Sequence, residues 1–292
     1  MNRWLTSLMV RYQGHAVLVD CGEGTQIAAQ RAGVSLKPID KLLITHLHAD
    51  HISGLPGLLL SMGNAGRTEE LSIIGPVGTE RVVHALRCIA NALPFSVRVS
   101  ELETEEEDMF FRDCDNHAFA VQHGMPCYGY SFTLPRAGKF DVQRAREAEI
   151  PMQLWSRLQK GETIEQDGRT FTPDMVMGPA RKGLKVTYCT DTRPIPAIAQ
   201  AAAGSDLFIC EGMYGEPDML PKAKENRHVL FSEAAQLARD AGGVGELWLT
   251  HYSPAMPNPK AFREAARAIF PNTYTPRDGW SKTLVFEEDK KD

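Results

Sequence analysis

Residues 44–57 read ITHLHADHISGLPG, with His46, His48, Asp50 and His51 crowded into six positions behind the apolar run KLLIT. If that run is a strand, the four side chains fall on the loop beyond its carboxyl end, where α/β proteins commonly bind their ligands. One histidine in such a place is weak evidence for anything. Four nitrogen and oxygen donors packed together are different, because on protonation they repel one another, whereas a divalent cation satisfies them all. A metal site therefore organises the reading of everything else.

Further ligands are expected at other strand ends, and the sequence offers them. His123 closes AFAVQH, Asp191 closes KVTYCTD and His251 closes ELWLTH, each followed by a loop. Taken singly, each is an ordinary polar strand terminus. Three in succession point to the second half of one cluster.

Those runs belong to a wider pattern. SLMVRY, AVLVDCG, KLLITH, LSIIGP, AFAVQH, YGYSFTL, KVTYCTD, DLFICEG, ELWLTHY and TLVFEE are short, β-rich and bounded by glycine, proline or aspartate. Helical patterns lie between them at 23–32, 54–63, 78–91, 230–241 and 259–269. The alternation predicts an α/β architecture with helices covering the sheet faces, and the adjacent early strands predict antiparallel pairing near the amino end. Segment 135–182 breaks the rhythm with the polar helix-like VQRAREAEI and with KGETIEQDGRTFTPD, which suits a hairpin around Asp167 and Gly168. It reads as an insertion projecting from a single domain over 1–292.

Composition sets outer bounds. With 292 residues, 43% hydrophobic and 24% charged, the chain is long enough to bury a substantial core. No apolar run approaches the roughly 18 residues of a membrane span, and MNRWLTSLMV lacks the build of a secretory signal, so the expected location is cytoplasmic. Six cysteines lie far apart without CxxC spacing, as expected of reduced packing residues. A net charge of −5 excludes a generally basic nucleic-acid-binding surface, so a polyanion must be drawn locally. Residues 100–116 hold eight acidic side chains against one arginine, which reads as a solvated face. Residues 135–185 hold ten Lys or Arg against seven Asp or Glu.

The HxHxDH motif at 46–51, with the later His123, Asp191 and His251, resembles the metallo-β-lactamase superfamily. Within it, DCGEGTQ at 20–26, GLPGLLLSM at 54–62, HGMPCYGYSF at 123–132 and LTHYSP at 249–254 are similar to the ribonuclease Z family over nearly the whole chain. The resemblance implies an αββα four-layer sandwich and a dinuclear centre. One ion falls to His46, His48 and His123, the other to Asp50, His51 and His251, with Asp191 bridging. Two zinc ions suit these donors best, with manganese or iron as alternatives. Two ions about 3.5–4 Å apart activate a shared water and stabilise both the attacking and the leaving oxygen of a phosphodiester. Asp50 is a candidate acceptor of the nucleophile's proton. Asp20 is expected to orient the histidine loop rather than to bind metal.

The same resemblance implies that Glu211 holds His228 as the proton donor to the departing 3′ oxygen; the plainer alternative is that His228 caps the helix starting near Phe231. Segment 135–182 becomes an arm that grips precursor tRNA through Arg144, Arg146, Arg157, Lys160, Arg181 and Lys182, with Trp155 packing or stacking. A homodimer is expected, with GLPGLLLSM in its interface, and no membrane partner.

Two departures stand out. The family usually has an apolar strand and a glycine-rich turn ahead of the segment matching NRWLTSLMVRY, so the first sheet is expected to be one edge strand short. HYSPAMPNP also lacks a basic residue that some relatives carry after the last ligand histidine. The expected activity is removal of the 3′ trailer from precursor tRNA, leaving a 3′-hydroxyl on the tRNA and a 5′-phosphate on the trailer. The alternatives are hydrolysis of a small phosphodiester, sulfate ester or thioester at the same metals, and an inactive RNA-binding scaffold with a vestigial site.

Overall fold

The computed structural model describes residues 3–286. Strands β1 (Leu8–Tyr12), β2 (His15–Val19), β3 (Ile39–Leu43), β4 (Leu71–Pro76) and β5 (Val97–Leu102) lie side by side in that order. As expected, β1 and β2 are antiparallel, joined by Gln13 and Gly14, both at positive φ, the backbone that a two-residue hairpin requires. β2 to β5 run parallel. Residues alternate across this sheet: Ala16, Leu18 and Leu42 face one core, while Val17, Val19 and Leu43 face another. Both faces are covered, which is why these strands are almost wholly apolar.

The outer face carries helices α1 (Thr25–Arg31), α2 (Ala49–Ile52), α3 (Leu55–Asn64) and α4 (Thr79–Arg87). Leu55, Leu58, Leu59 and Met62 of α3 are buried against the sheet. Burying each stabilises the fold by roughly 1.5–3 kcal/mol. Most of the apolar surface of GLPGLLLSM is thus spent inside the molecule, and Leu60 is what it leaves exposed.

The second sheet is built from β6 (Glu106–Phe111), β7 (Cys114–Ala120) and β8 (Tyr128–Arg136). After the inserted segment with β9 (Ile164–Gln166) and β10 (Arg169–Phe171), it continues in β11 (Arg181–Cys189), β12 (Leu207–Glu211), β13 (Glu246–Thr250) and β14 (Thr273–Tyr274). The order is β14-β13-β12-β11-β8-β7-β6. Tyr130, Tyr188, Ile209 and Trp248 pack across to Val17, Val19 and Leu43 of the first sheet. After the inserted helices α5 (Val142–Glu147) and α6 (Met152–Gln159), the outer layer of this half holds α7 (Pro196–Ala202), α9 (Phe231–Ala241) and α10 (Arg263–Arg267), while α8 (Leu220–Asn226) packs separately on Met213, Tyr214 and Leu230. Helix, sheet, sheet and helix follow one another as the αββα sandwich expected from sequence. No helix among the described residues is long and apolar enough to cross a membrane.

Several expectations need correction. Thr283–Phe286 of TLVFEE form no strand, and residues 287–288 lie outside the described residues. The two-residue β14 offers little ladder to extend, and side chains hold the tail instead: Trp280 stacks on Trp248 and Lys282 pairs with Glu246 at 2.7 Å. The acidic stretch contains the hairpin β6–β7 at the sheet edge, with Met109 and Phe111 buried between exposed Glu106, Asp108 and Phe110. Charge on an exposed edge strand discourages pairing with another chain. The helical pattern at 259–269 resolves into a 3₁₀ turn and the short α10.

The insertion has a core of its own, formed by Ala145, Ile150, Leu154, Leu158, Ile164, Phe171 and Val176. Its hairpin turns at Asp167 and Gly168, both at positive φ. Trp155 packs rather than stands free: its indole donates to the Ile150 carbonyl at 2.9 Å and its ring lies against Phe140. Arg144 donates to the Met177 and Asp174 carbonyls, Arg157 pairs with Glu162, Arg181 donates to the Ala137 carbonyl and Lys182 pairs with Asp206. Arg146 and Lys160 are exposed. All six cysteines are free thiols, with Cys88 exposed and the other five buried.

Candidate metal centre

Strand direction gathers the site. β2 and β3 run parallel, as do β11, β12 and β13, and β7 shares their direction because both it and β11 are antiparallel to β8. Their carboxyl ends lie at one rim of the sandwich, where the loops beyond them carry Asp20, residues 46–51, His123, Asp191 and His251, and Glu211 closes β12.

The loop after β3 is pressed against the DCGEGTQ segment. The Cys21 amide donates to the His51 carbonyl at 2.7 Å and the Gly54 amide to the Cys21 carbonyl at 2.9 Å. A β-carbon on Gly54 would lie 2.1 Å from the Gly22 carbonyl oxygen, and one on Gly22 would lie 2.3 Å from that of Asp50. Only glycine allows the two backbones to approach so closely. Asp20, Asp191 and His251 themselves adopt positive φ, near 60°, 46° and 53°. Non-glycine residues rarely take this conformation, and its concentration at one rim marks a functional site held by its surroundings.

The structure brings all seven expected ligands together. His46, His48, His123 and Asp191 present donor atoms within 4.8 Å of one another, and so do Asp50, His51 and His251. Asp191 lies between the groups, with Oδ2 3.6 Å from His46 Nε2 and Oδ1 3.5 and 3.3 Å from Nε2 of His51 and His251.

Outward hydrogen bonds fix which nitrogen points inward. His51 Nδ1 meets Asp20 at 2.8 Å, His46 Nδ1 meets the Thr45 hydroxyl at 3.0 Å, and His123 Nδ1 donates to the Arg227 carbonyl at 3.3 Å. In that tautomer each Nε2 turns a lone pair to the interior. There His46 Nε2 lies 2.9 Å from His48 Nδ1, which is 3.3 Å from His123 Nε2, while Nε2 of His51 and His251 are 3.2 Å apart. Five imidazoles and two carboxylates aimed at one point, with the Nε2 lone pairs of His46, His51 and His123 turned inward, make a donor set that fits metal. Burial and the neighbouring imidazoles keep His46 neutral, its pKa lowered to about 2. His251 is raised to about 9, because the carboxylates of Asp191, Asp50 and Glu211 outweigh its burial. The His251 beside it, outweighing partial burial, brings Asp50 down to about 2.

Glu211 is buried and accepts from the Thr192 amide at 2.6 Å and from His228 Nδ1 at 2.9 Å. Burial raises this carboxyl, while its donors favour the anion. His228 is raised in turn, because the hydrogen bond and field of Glu211 outweigh its own burial. His228 does not cap a helix: α9 starts at Phe231, its N-cap is Leu230, and the Leu230 amide is satisfied by Glu233 at 2.9 Å.

Sequence reading missed Thr45, whose amide and hydroxyl both donate to Asp20, as well as Arg193, Arg227 and Glu233 around His228. All act across the fold. The nearest sequence cue was the run CTDTRP at 189–194.

A profile described as the metallo-β-lactamase superfamily matches residues 6–112. The chain is 57% identical over 288 residues to a protein named Ribonuclease Z from Agathobacter rectalis, covering 99% of this chain and 95% of that one. It is 54% identical over 289 residues to Ribonuclease Z from Lachnoclostridium phytofermentans, with coverage of 99% and 95%. Among solved structures, that of the short form of human tRNase Z has a TM-score of 0.67 at 20% identity, over 97% of this chain and 93% of that one, a likeness of fold.

Proposed function

The chain belongs to the ribonuclease Z family of the metallo-β-lactamase superfamily, and from that premise we propose how its own residues carry out the family's reaction. It is a metal-dependent endoribonuclease of tRNA 3′-end processing. We assign one divalent ion to His46, His48 and His123 and a second to Asp50, His51 and His251, with Asp191 shared; zinc suits this donor set best, ahead of manganese or iron. When bound, such a pair supplies an acidified water and neutralises charge on the phosphate oxygens.

The side chains do the rest. Asp50 accepts a proton from the attacking water. As the new P–O bond forms, the bond from phosphorus to the ribose 3′ oxygen breaks and its electron pair stays on that oxygen. His228, gripped at Nδ1 by Glu211, gives a proton from Nε2 to the departing oxygen. The products are a tRNA ending in a 3′-hydroxyl and a trailer beginning with a 5′-phosphate. The observation that carries this reading is the Glu211–His228 pair beside the ligand cluster, because a poor alkoxide leaving group needs a held proton donor.

The arm at 135–182 is assigned to the tRNA body, with phosphate contact through Arg146 and Lys160, since the other four basic residues named from sequence are engaged locally. Two copies are expected to pair around exposed Ile27 and Leu60, acting in the cytoplasm; light scattering returning one chain's mass would refute the pairing. The activity is tested by stripping the protein with a chelator, restoring zinc or manganese, and supplying a defined precursor tRNA. Turnover of an aryl phosphodiester with the precursor left intact would overturn the substrate assignment.

A further inference from the structure

We infer that Arg193 is a positioning residue that sets the proton donor in place, acting through a clamp with Glu233; this rests on the reading of His228 as that donor. Arg193 stands two residues after Asp191, and its backbone is fixed to the strand end carrying His123: its amide donates to the Gln122 carbonyl at 2.9 Å, and the Gln122 amide donates to the Thr192 hydroxyl at 3.1 Å. From that anchor its guanidinium reaches the far loop. One nitrogen, Nη1, donates to the carbonyl of His228 itself and, at 3.0 Å, to Glu233 Oε2; the other, Nη2, donates to Glu233 Oε1. Glu233 in turn accepts the Leu230 amide at 2.9 Å. The backbone of His228 and the start of α9 are therefore held at two points by one planar fork, which a single lysine ammonium does not reproduce.

Arg227 closes the other side. Its guanidinium donates to the His123 carbonyl while its own carbonyl accepts from His123 Nδ1. The loop bearing His228 is thus stitched at both flanks to segments that hold metal ligands, and Glu211 fixes the ring. Glu211 decides which way the imidazole faces. Arg193 decides where it stands.

The test compares Arg193→Gln and Glu233→Gln with His228→Asn on precursor tRNA, whose leaving alkoxide needs a proton, and on bis(p-nitrophenyl) phosphate, whose leaving group does not. A positioned general acid contributes roughly 10²–10⁴-fold, so His228→Asn should lower kcat on precursor tRNA by about that range and lose far less on the aryl substrate. Arg193→Gln should show the same selectivity, with about a 10-fold or greater fall in kcat and KM within about 2-fold. Combined with His228→Asn it should add almost nothing, since both act through one group. Amide exchange at residues 228–230 should quicken in Arg193→Gln with bound metal content unchanged. Arg193→Lys should recover only part of the rate.

Equal loss on both substrates, or losses that multiply in the double variant, would overturn the clamp while leaving the donor assignment standing. An unaffected His228→Asn would overturn both. Should Arg193→Gln fail to fold, Glu233→Gln decides, because its amide oxygen still caps Leu230 while its NH₂ faces the Arg193 Nη2 donor and breaks that leg of the clamp.

Discussion

Asp20 offers a quantitative test of the proposed metal centre, because it stands outside the assigned ligands and yet selects the tautomer of His51. Its carboxylate accepts from the Thr45 amide at 2.8 Å, from the Thr45 hydroxyl at 2.9–3.0 Å and from His51 Nδ1 at 2.8 Å. Asp20→Asn keeps the shape and tolerates the positive φ. The Thr45 amide requires an oxygen at Oδ1, so the new NH₂ falls at Oδ2, against His51 Nδ1. His51 must then carry its proton on Nε2, pointing at Asp50, Asp191 and His251. The lost interaction is a hydrogen bond to a charged group, about 1.5–3 kcal/mol, which corresponds to about a 10- to 100-fold weaker ion and matches the usual effect of removing a ligand's outer partner. The loss should fall on the ion of His51 and spare that of His46, which Thr45 orients. Competition with a chromophoric chelator should therefore resolve one weakened and one unchanged site. Equal weakening at both, or at neither, refutes the reasoning.

The remaining predictions are simpler. Asp191→Ala removes the carboxylate shared by both ligand groups, and His48→Ala removes one ligand; each should abolish precursor cleavage, Asp191→Ala with the larger loss of bound metal by elemental analysis. Replacing residues 140–180 by a short turn should impair precursor tRNA cleavage by at least about 10-fold and spare a small phosphodiester, because the insertion has a separate core; equal loss on both contradicts its role. In the native protein Cys88 should react quickly with a disulfide reagent, while Cys127, Cys189 and Cys210, whose thiols burial pushes up, should react only on unfolding; early labelling of any of those three would contradict the packing.

Much of this site is written where apolar runs stop. Within KLLIT, AFAV, KVTYC and ELWLT, residues 42–45, 118–119, 187–189 and 247–249 are buried on both faces, so a histidine or aspartate just beyond them marks a rim rather than a core position. Strands β5 and β6 escaped because the valines of VRVSEL alternate with Arg98 and Ser100, and because net charge overshadowed the period of two in EEDMFF. Thr45, Arg193 and Glu233 were illegible for another reason. Threonine before histidine, or arginine after aspartate, carries no local signal; their roles arise from contacts spanning 25 to 40 positions. The basic count of the insertion misled in the same way, since Arg144 and Arg157 serve its own folding.

The register of β8 with β11 sets Arg136 opposite Arg181, so the chain leaves the large sheet and re-enters it at neighbouring positions. A module whose two ends meet in this way behaves as an exchangeable cassette: its length and shape can drift without shifting a single rung of the ladder beneath. Grafting the corresponding segment of a relative between these two arginines should change which folded RNA is gripped while the chemistry at the opposite rim continues undisturbed.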